Sequence, residues 1–147
     1  MKVKVNFIKL DSRAVVPTYG TEFSAGADLY SVSDNPVIIN SGETVLIHTG
    51  LAMEIPEGFG GFIFARSGLA TKKGLAPANK VGVIDADYRG EIMVALHNHS
   101  DKTVDVAPGE RIAQLVILPY AAAEFVECEK LCDTVRGSGG FGSTGTK

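Results

Sequence analysis

The sequence lacks three features that would each indicate a particular class of protein. It has no run of about eighteen apolar residues and no apolar segment behind its basic N-terminus, so neither a transmembrane helix nor a signal peptide is expected. It has no excess of basic residues, since 14 Lys and Arg stand against 17 Asp and Glu, which argues against stable nucleic-acid binding. Its only cysteines, Cys128 and Cys132, form one pair without a nearby histidine, so we expect reduced thiols rather than a zinc site. These absences favour a cytoplasmic or otherwise intracellular protein that does not act at a membrane.

What the sequence does contain is typical of one folded β-domain. Its 147 residues are 45% hydrophobic and 21% charged, which suits a single domain with one core. Short β-rich segments alternate with turn residues such as Gly42, Gly58 and Gly109, and this spacing favours an all-β barrel or jelly roll. We expect strands at residues 3–7, 44–47, 53–55, 62–64, 91–96 and 112–117.

One segment predicts a short helix that begins close to an arginine. Residues 69–73 favour helix, Ser67 is a suitable N-cap, and Gly74 is a suitable residue for the C-terminal end. The Arg66 guanidinium, the Ser67 hydroxyl and the backbone N–H of Gly68 would then lie at the positive end of the helix, where phosphate binds well. The alternative is that Ser67 only caps the helix and that Arg66 only forms a surface ion pair.

A second segment, residues 82–90, brings two acids and a tyrosine to a turn between β-rich runs. Asp85 and Asp87 would share a face if the segment were a strand. An ionised aspartate can orient a water molecule and accept its proton while charge moves onto phosphorus, with arginine and a metal stabilising that charge. Taken alone, the same residues also fit a solvated β-turn.

The C-terminal segment, residues 136–147, consists almost entirely of glycine, serine and threonine. It matches the G-x-G-x-x-G pattern and nearly matches a P-loop, but too few residues follow for the helix that both motifs require, so both are rejected. Composition alone favours disorder. Arg136 and Phe141, however, suit a phosphate contact and stacking on a base. We therefore expect a β-barrel domain over residues 1–135 and a mobile, flexible arm over 136–147 that closes over an active site.

Five segments, in order along the chain, resemble the motifs of the trimeric dUTP pyrophosphatase (dUTPase) family. They lie at residues 25–31, 66–70, 82–90, 109–114 and 136–145. The resemblance implies a distorted jelly-roll-like β-barrel with one short helix, assembled as a homotrimer with active sites at the subunit junctions. It also implies that water attacks the α-phosphorus of dUTP, giving dUMP and pyrophosphate, while Mg2+ bridges the triphosphate oxygens. This reaction would limit uracil incorporation into DNA and supply dUMP for dTMP synthesis.

The resemblance also assigns roles to single residues. Asp85 would hold the attacking water, and Gln114 would help to position the water and the phosphates. Asp28 would act more remotely, through metal-bound water or by supporting the site, and no side chain is expected to bind Mg2+ directly. The expected substrate-binding residues are Arg66, Ser67, Gly68, Asn79, Gly82, Val83, Ile84, Tyr88, Met93, Arg136, Phe141, Gly142 and Ser143.

Substrate choice is expected to depend on the third motif. In the family its main chain pairs with the uracil edge, and a site built for those hydrogen bonds can reject cytosine by about four to five orders of magnitude. A close wall would exclude the methyl group of thymine, and Tyr88 under the deoxyribose would exclude the 2′-hydroxyl of UTP. Phe141 would cover the uracil, and Arg136 would reach the triphosphate.

Two alternatives stay open at this point. A dCTP deaminase resembles this family in fold, but it needs a general base beside the ring, and we expect no glutamate next to the base pocket. A non-catalytic nucleotide-binding barrel would not need Asp85, Gln114, Arg136 and Phe141 together.

Overall fold

The computed structural model describes residues 2–140, and within that range it contains eleven β-strands and one short helix. The strands are β1 (Asn6–Lys9), β2 (Thr18–Tyr19), β3 (Ala27–Tyr30), β4 (Val37–Ile39), β5 (Thr44–Glu54), β6 (Phe59–Phe64), β7 (Leu75–Pro77), β8 (Gly82–Ile84), β9 (Glu91–Asn98), β10 (Val104–Val106) and β11 (Arg111–Pro119), and the helix is α1 (Ser67–Lys73). The predicted all-β class with one short helix is confirmed.

The strands form two main antiparallel sheets and one small one. The first sheet has the order β1-β5-β9-β7, the second has the order β2-β3-β11-β6-β8, and β4 pairs with β10. Most neighbours within a sheet are distant in sequence, as expected when strands cross between two packed layers. Irregular register interrupts β5 between His48 and Ala52 and β11 between Arg111 and Ala113, which distorts both sheets.

The core lies between the layers and follows from alternation along the strands. In β9 every second residue is buried, namely Ile92, Val94, Leu96 and Asn98. Side chains from all the longer strands join this cluster; its fully buried members include Leu29, Ile39, Ile47, Leu51, Leu75 and Ile112. The alternation therefore fixes which residues of each strand face outward, toward any ligand.

The helix differs from its predicted start by one residue. Arg66, not Ser67, occupies the N-cap position, with extended backbone and no side-chain hydrogen bond to the helix, and Ser67 is the first helical residue. The predicted C-terminal end is confirmed, because Gly74 adopts a left-handed φ of 68° and its N–H bonds the Ala70 carbonyl. Because the helix has no side-chain cap bond, the exposed Ser67 hydroxyl is left for another role.

The chain after β11 has no regular structure in its described part. Residues 121–138 are exposed throughout, and among them Phe125 and Leu131 leave most of their surface in solvent. Cys128 and Cys132 are free, exposed thiols on this segment. Phe141, Gly142 and Ser143 lie outside the described residues.

The one helix in the described part of the chain lacks the length and apolar character needed to cross a membrane.

A buried asparagine connects β9 to two other parts of the barrel. The Asn98 amide group donates to the carbonyls of Ile39 and Lys102, and its oxygen accepts from the N–H and hydroxyl of Ser100. Asn98 and Ile39 are fully buried, so without the amide the Ile39 carbonyl would lose this partner where water does not reach it.

Asn98→Ala is therefore expected to lower the free energy of unfolding by about 3 kcal/mol, because four hydrogen bonds are lost and the buried Ile39 carbonyl loses its side-chain partner. The measurement is urea unfolding followed by circular dichroism. Asn35 is exposed, and Asn35→Ala serves as the control with an expected change below about 0.5 kcal/mol. Equal stabilities for the two variants would show that the Asn98 bonds contribute little.

Candidate active site

One cluster of predicted site residues forms where β3, β11 and the end of β6 meet. Asp28 on β3 receives hydrogen bonds from Arg66 Nε at 2.7 Å and from an Arg111 amino group at 3.1 Å. Both carboxylate oxygens are thus bound by guanidinium groups, and the side chain is only 14% exposed. Asp28 therefore orients Arg66, one amino group of which also donates to the Arg111 carbonyl at 3.3 Å. The other terminal amino group is left for an anion.

Gln114 belongs to the same cluster because of strand register. It pairs with Asp28 on one side and with Phe64 on the other, and its amide donates to the Ala65 carbonyl at 2.9 Å. Gly26 lies against it so closely that a Cβ there would overlap the Gln114 amide oxygen. The glycine therefore leaves the space in which this amide is held.

A second group of predicted residues lines a pocket of about 240 Å³ beside β8. Pockets for drug-sized ligands occupy roughly 300–1,000 Å³, so this one suits a smaller group such as a single ring. Its lining contains most of the residues expected to bind the base, and it also contains others that were not predicted. The lining residues are Leu46, Ile63, Asn79, Gly82, Val83, Ile84, Asp85, Tyr88, Glu91, Ile92 and Met93.

Backbone contacts fix two walls of this pocket. The Tyr88 hydroxyl donates to the Glu91 carbonyl at 2.9 Å, and a Cβ at Gly90 would overlap the Tyr88 ring and hydroxyl. On the opposite side, Gly82 allows the Asn79 amide to approach, since a Cβ there would lie 3.2 Å from the Asn79 nitrogen. Both glycines are needed for close approach of a functional side chain.

Glu91 corrects the expectation that no glutamate lies next to the base pocket. Its carboxylate is already engaged, because one oxygen accepts from the Gly50 N–H at 2.8 Å and the other lies 2.9 Å from His48 Nδ1. Glu91 could not be recognised from the sequence, because its partners Gly50 and His48 lie on another strand, β5. They lie where the register of the β5–β9 pair shifts, and a sequence pattern does not show such a shift. A carboxylate with both oxygens occupied is poorly suited to act as a base on a ring.

Asp85 has a special position between two cavities. A larger, open groove of about 800 Å³ adjoins the pocket, and among residues 2–140 Asp85 is the one residue that lines both. The turn expected in this segment is observed, because β8 ends at Ile84 and the Tyr88 N–H bonds the Asp85 carbonyl, so Asp85 and Asp87 do not lie on a strand. The turn presents the exposed Asp85 to the boundary between the two cavities.

Asp85 and the Asp28–Arg66–Gln114 cluster lie toward opposite ends of β6. Register pairs Gly61 with Ile84, which places Asp85 near the beginning of β6, whereas Arg66 follows its end. At about 3.3 Å per residue, the five residues from Gly61 to Arg66 separate these positions by roughly 16 Å. Within one chain, therefore, the structure does not bring Asp85 together with Asp28, Arg66 and Gln114.

The other predicted binding residues that the structure describes are exposed. Ser67 and Gly68 are exposed beside Arg66, and Arg136 is exposed, with its Nε donating to the Gly139 carbonyl at 2.8 Å. In the described part of the chain, no group of three or more His, Cys, Asp or Glu residues could hold a metal ion.

The fold and these two clusters define a class of protein, a β-barrel with a ring-sized pocket and, apart from it, a carboxylate held by two guanidinium groups. Comparison with known proteins identifies the family. A family model described as dUTPase matches residues 12–145. The chain is 51% identical to the deoxyuridine 5′-triphosphate nucleotidohydrolase of Desulfitobacterium hafniense (strain DSM 10664 / DCB-2), over 99% of this chain and 97% of that one. It is 52% identical to the enzyme of the same name from Nautilia profundicola, over 99% of both chains.

Solved structures agree with the sequence relatives. A mutant dUTPase of Staphylococcus bacteriophage 80alpha with dUpNHpp matches with a TM-score of 0.88 at 28% identity, over 97% of this chain and 99% of that chain. A mutant dUTPase from phage phi11 of S. aureus, described with a structural Mg(II) ion, matches with a TM-score of 0.77 at 27% identity, over 86% and 97%. The chain belongs to the dUTPase family.

Proposed function

We propose that this dUTPase hydrolyses dUTP to dUMP and pyrophosphate, with Asp85 holding the water that attacks the α-phosphorus. The observation that carries the proposal is the position of Asp85 at the boundary between the ring-sized pocket and the larger groove. A nucleotide with its base in the pocket has its sugar and phosphates at this boundary. A carboxylate there can orient a water molecule and accept its proton.

Uracil is the base that the pocket suits. β8 is an edge strand of its sheet, so one row of its N–H and C=O groups lacks a strand partner and can pair with the edge of a base. The amide of Asn79 lies directly against this strand. Tyr88, held through its hydroxyl, supports the sugar and leaves no room for a 2′-hydroxyl, while Met93 closes the pocket.

Charge supports a site shared between chains. The groove beside Asp85 is lined by four carboxylates, those of Glu54, Glu57, Asp85 and Asp87, with Lys4 and Arg89 as its basic residues. A triphosphate needs more positive charge than this, and the arginines that could provide it lie at the other end of β6. In a homotrimer, each junction would bring the base pocket of one chain to the Asp28–Arg66–Gln114 cluster of its neighbour.

The phosphate-binding cluster fits this arrangement. Arg66 and the Ser67 hydroxyl would contact phosphate oxygens, and Gln114 would orient the phosphates and water from its fixed place beside Ala65. A bound Mg2+ would supply neutralisation of the triphosphate charge and polarisation of a phosphoryl oxygen. Because the guanidinium groups occupy both oxygens of Asp28, this residue would support the metal only through water or through Arg66.

The C-terminal segment would complete the site as an arm over residues 136–147. Supporting this, the preceding segment exposes Phe125, Val126 and Leu131, apolar side chains that would be covered by packing against another copy. Arg136, which follows this segment, would then reach the triphosphate of a neighbouring site, with Phe141, Gly142 and Ser143 over the nucleotide.

The test is release of pyrophosphate from dUTP, dTTP, dCTP and UTP, measured for the full chain and for a chain ending at Val135. We expect dUTP to be preferred over dCTP by roughly four orders of magnitude in kcat/KM, because cytosine leaves the β8 groups unpaired. A chelator of divalent metal ions should suppress the reaction. Ending the chain at Val135 should lower kcat/KM by roughly a hundredfold, because the arm no longer helps to position the nucleotide. Ammonia released from dCTP, without pyrophosphate from dUTP, would favour a deaminase; full activity of the short chain would exclude the role of the arm.

A further inference from the structure

The turn that carries Asp85 is held by a neighbouring arginine. One terminal amino group of Arg89 donates to the Ala86 carbonyl at 2.6 Å and to the Tyr88 carbonyl at 3.0 Å. Together with the bond from the Tyr88 N–H to the Asp85 carbonyl at 3.1 Å, these contacts involve the backbone of three of the four turn residues. The guanidinium thus bridges two carbonyls that would otherwise face water.

The other terminal amino group of Arg89 connects this turn to the other sheet. It lies 3.6 Å from a carboxylate oxygen of Glu54, the last residue of β5. The second oxygen of Glu54 accepts from the Asn6 amide at 2.8 Å, and Asn6 is the register partner of Glu54 on β1. The chain of contacts therefore runs from the paired strands β1 and β5 through Arg89 to the Asp85 turn.

Burial does not hold this turn in place. Asp85, Asp87, Tyr88 and Arg89 are all exposed, and more than half of the Arg89 and Glu54 side chains is accessible to solvent. Exposed ion pairs of this kind contribute little to global stability. Their effect is local, since a turn without packed side chains depends on hydrogen bonds for its conformation.

We propose that Arg89 is a positioning residue for hydrolysis, which fixes Asp85 relative to the base pocket by bridging the turn to Glu54. The inference rests on the proposed role of Asp85. It assigns Arg89 to the turn rather than to the substrate, because its two terminal amino groups already face Ala86, Tyr88 and Glu54. A small displacement of a catalytic group is sufficient to slow a reaction strongly.

The test compares Arg89→Ala with Arg13→Ala. Arg13 is a matched control, since it is also a half-exposed arginine in ion pairs, with Asp11 and Asp34. Arg89→Ala is expected to lower kcat for dUTP by roughly ten- to a hundredfold, with a smaller change in KM and a Tm like that of Arg13→Ala. Arg89→Lys should recover only part of kcat, because one ammonium group cannot bridge both carbonyls and Glu54. Equal kcat values for Arg89→Ala and Arg13→Ala would overturn the proposal.

A double-mutant cycle separates positioning from general loss of structure. Glu54→Gln should lower kcat less than Arg89→Ala, and the double variant should be no slower than Arg89→Ala alone, because Glu54 acts through Arg89. Independent, additive losses in kcat would contradict the chain of contacts, whatever the Tm values are. Asp85→Asn tests the proposed function separately. If Asp85→Asn stays active, the proposed function fails. If Asp85→Asn is inactive but Arg89→Ala keeps full activity, only the positioning role of Arg89 is wrong.

Discussion

Asp85→Asn is expected to lower kcat for dUTP by about a thousandfold, the scale of a lost general base that also orients water. Asparagine keeps the size and the hydrogen-bonding ability of the side chain but cannot accept the proton. Binding of dUpNHpp should be nearly unchanged, since the pocket walls around β8 and Tyr88 are intact. The measurements are single-turnover pyrophosphate release and isothermal titration with the imido analogue.

Asp87→Asn is the matched control for this result. Asp87 lies in the same exposed turn and lines the same large groove, but it does not line the base pocket. It should therefore keep most of the activity. If the two variants lose activity equally, the negative charge of the groove matters rather than the position of Asp85, and the proposed role of Asp85 is wrong.

Much of the fold could be predicted from the sequence because its longer strands alternate regularly. Five of the six expected strands overlap observed strands closely, and residues 44–47 and 53–55 are the two ends of one long β5. The first expected strand, residues 3–7, begins three residues later, at Asn6. The shorter strands β2, β3, β4, β7, β8 and β10 were missed, because a run of two to four residues shows little or no period and becomes a strand only through its partner.

The site could be predicted in part. The motifs identified Asp28, Arg66 and Gln114, and strand register explains why residues so distant in sequence meet. Arg111 was missed as a partner of Asp28, although it lies within the fourth motif, because its contact depends on the irregular register of β11. Periodicity gives no information about such a bulge.

The Asp85 turn shows a second reason why parts of the site could not be predicted from the sequence. Sequence alone left strand and turn open, and the turn is observed because β8 stops at Ile84 and Arg89 satisfies two carbonyls beyond it. Glu91 was missed for a similar reason, since its partners come from β5. Side chains that act on backbone groups of another element cannot be recognised before the topology is known.

A second prediction with a large effect follows from the distance along β6 between Asp85 and the Asp28–Arg66–Gln114 cluster. Asp85→Asn and Arg66→Ala should each be nearly inactive alone, yet trimers that contain both chains should regain activity. If each site takes Asp85 from one chain and Arg66 from the next, a mixed ring of three has one junction where both residues are intact. About a third of the activity of the unaltered trimer is then expected.

The control for this experiment pairs Arg66→Ala with Gln114→Ala. Both residues lie in the same cluster, so every cluster in a mixed trimer carries one lesion, and no recovery is expected. The stability of each variant is checked by its Tm before mixing, since Arg66 also bonds Asp28.

The most direct test of a site shared between chains is dUTP hydrolysis by such mixed trimers, coexpressed with two affinity tags and purified through both. We predict that the Asp85→Asn and Arg66→Ala mixture releases pyrophosphate at about a third of the rate of the unaltered enzyme, as expected for one intact junction in three. A mixture no more active than its two parents would contradict it, and would place the complete site within a single chain.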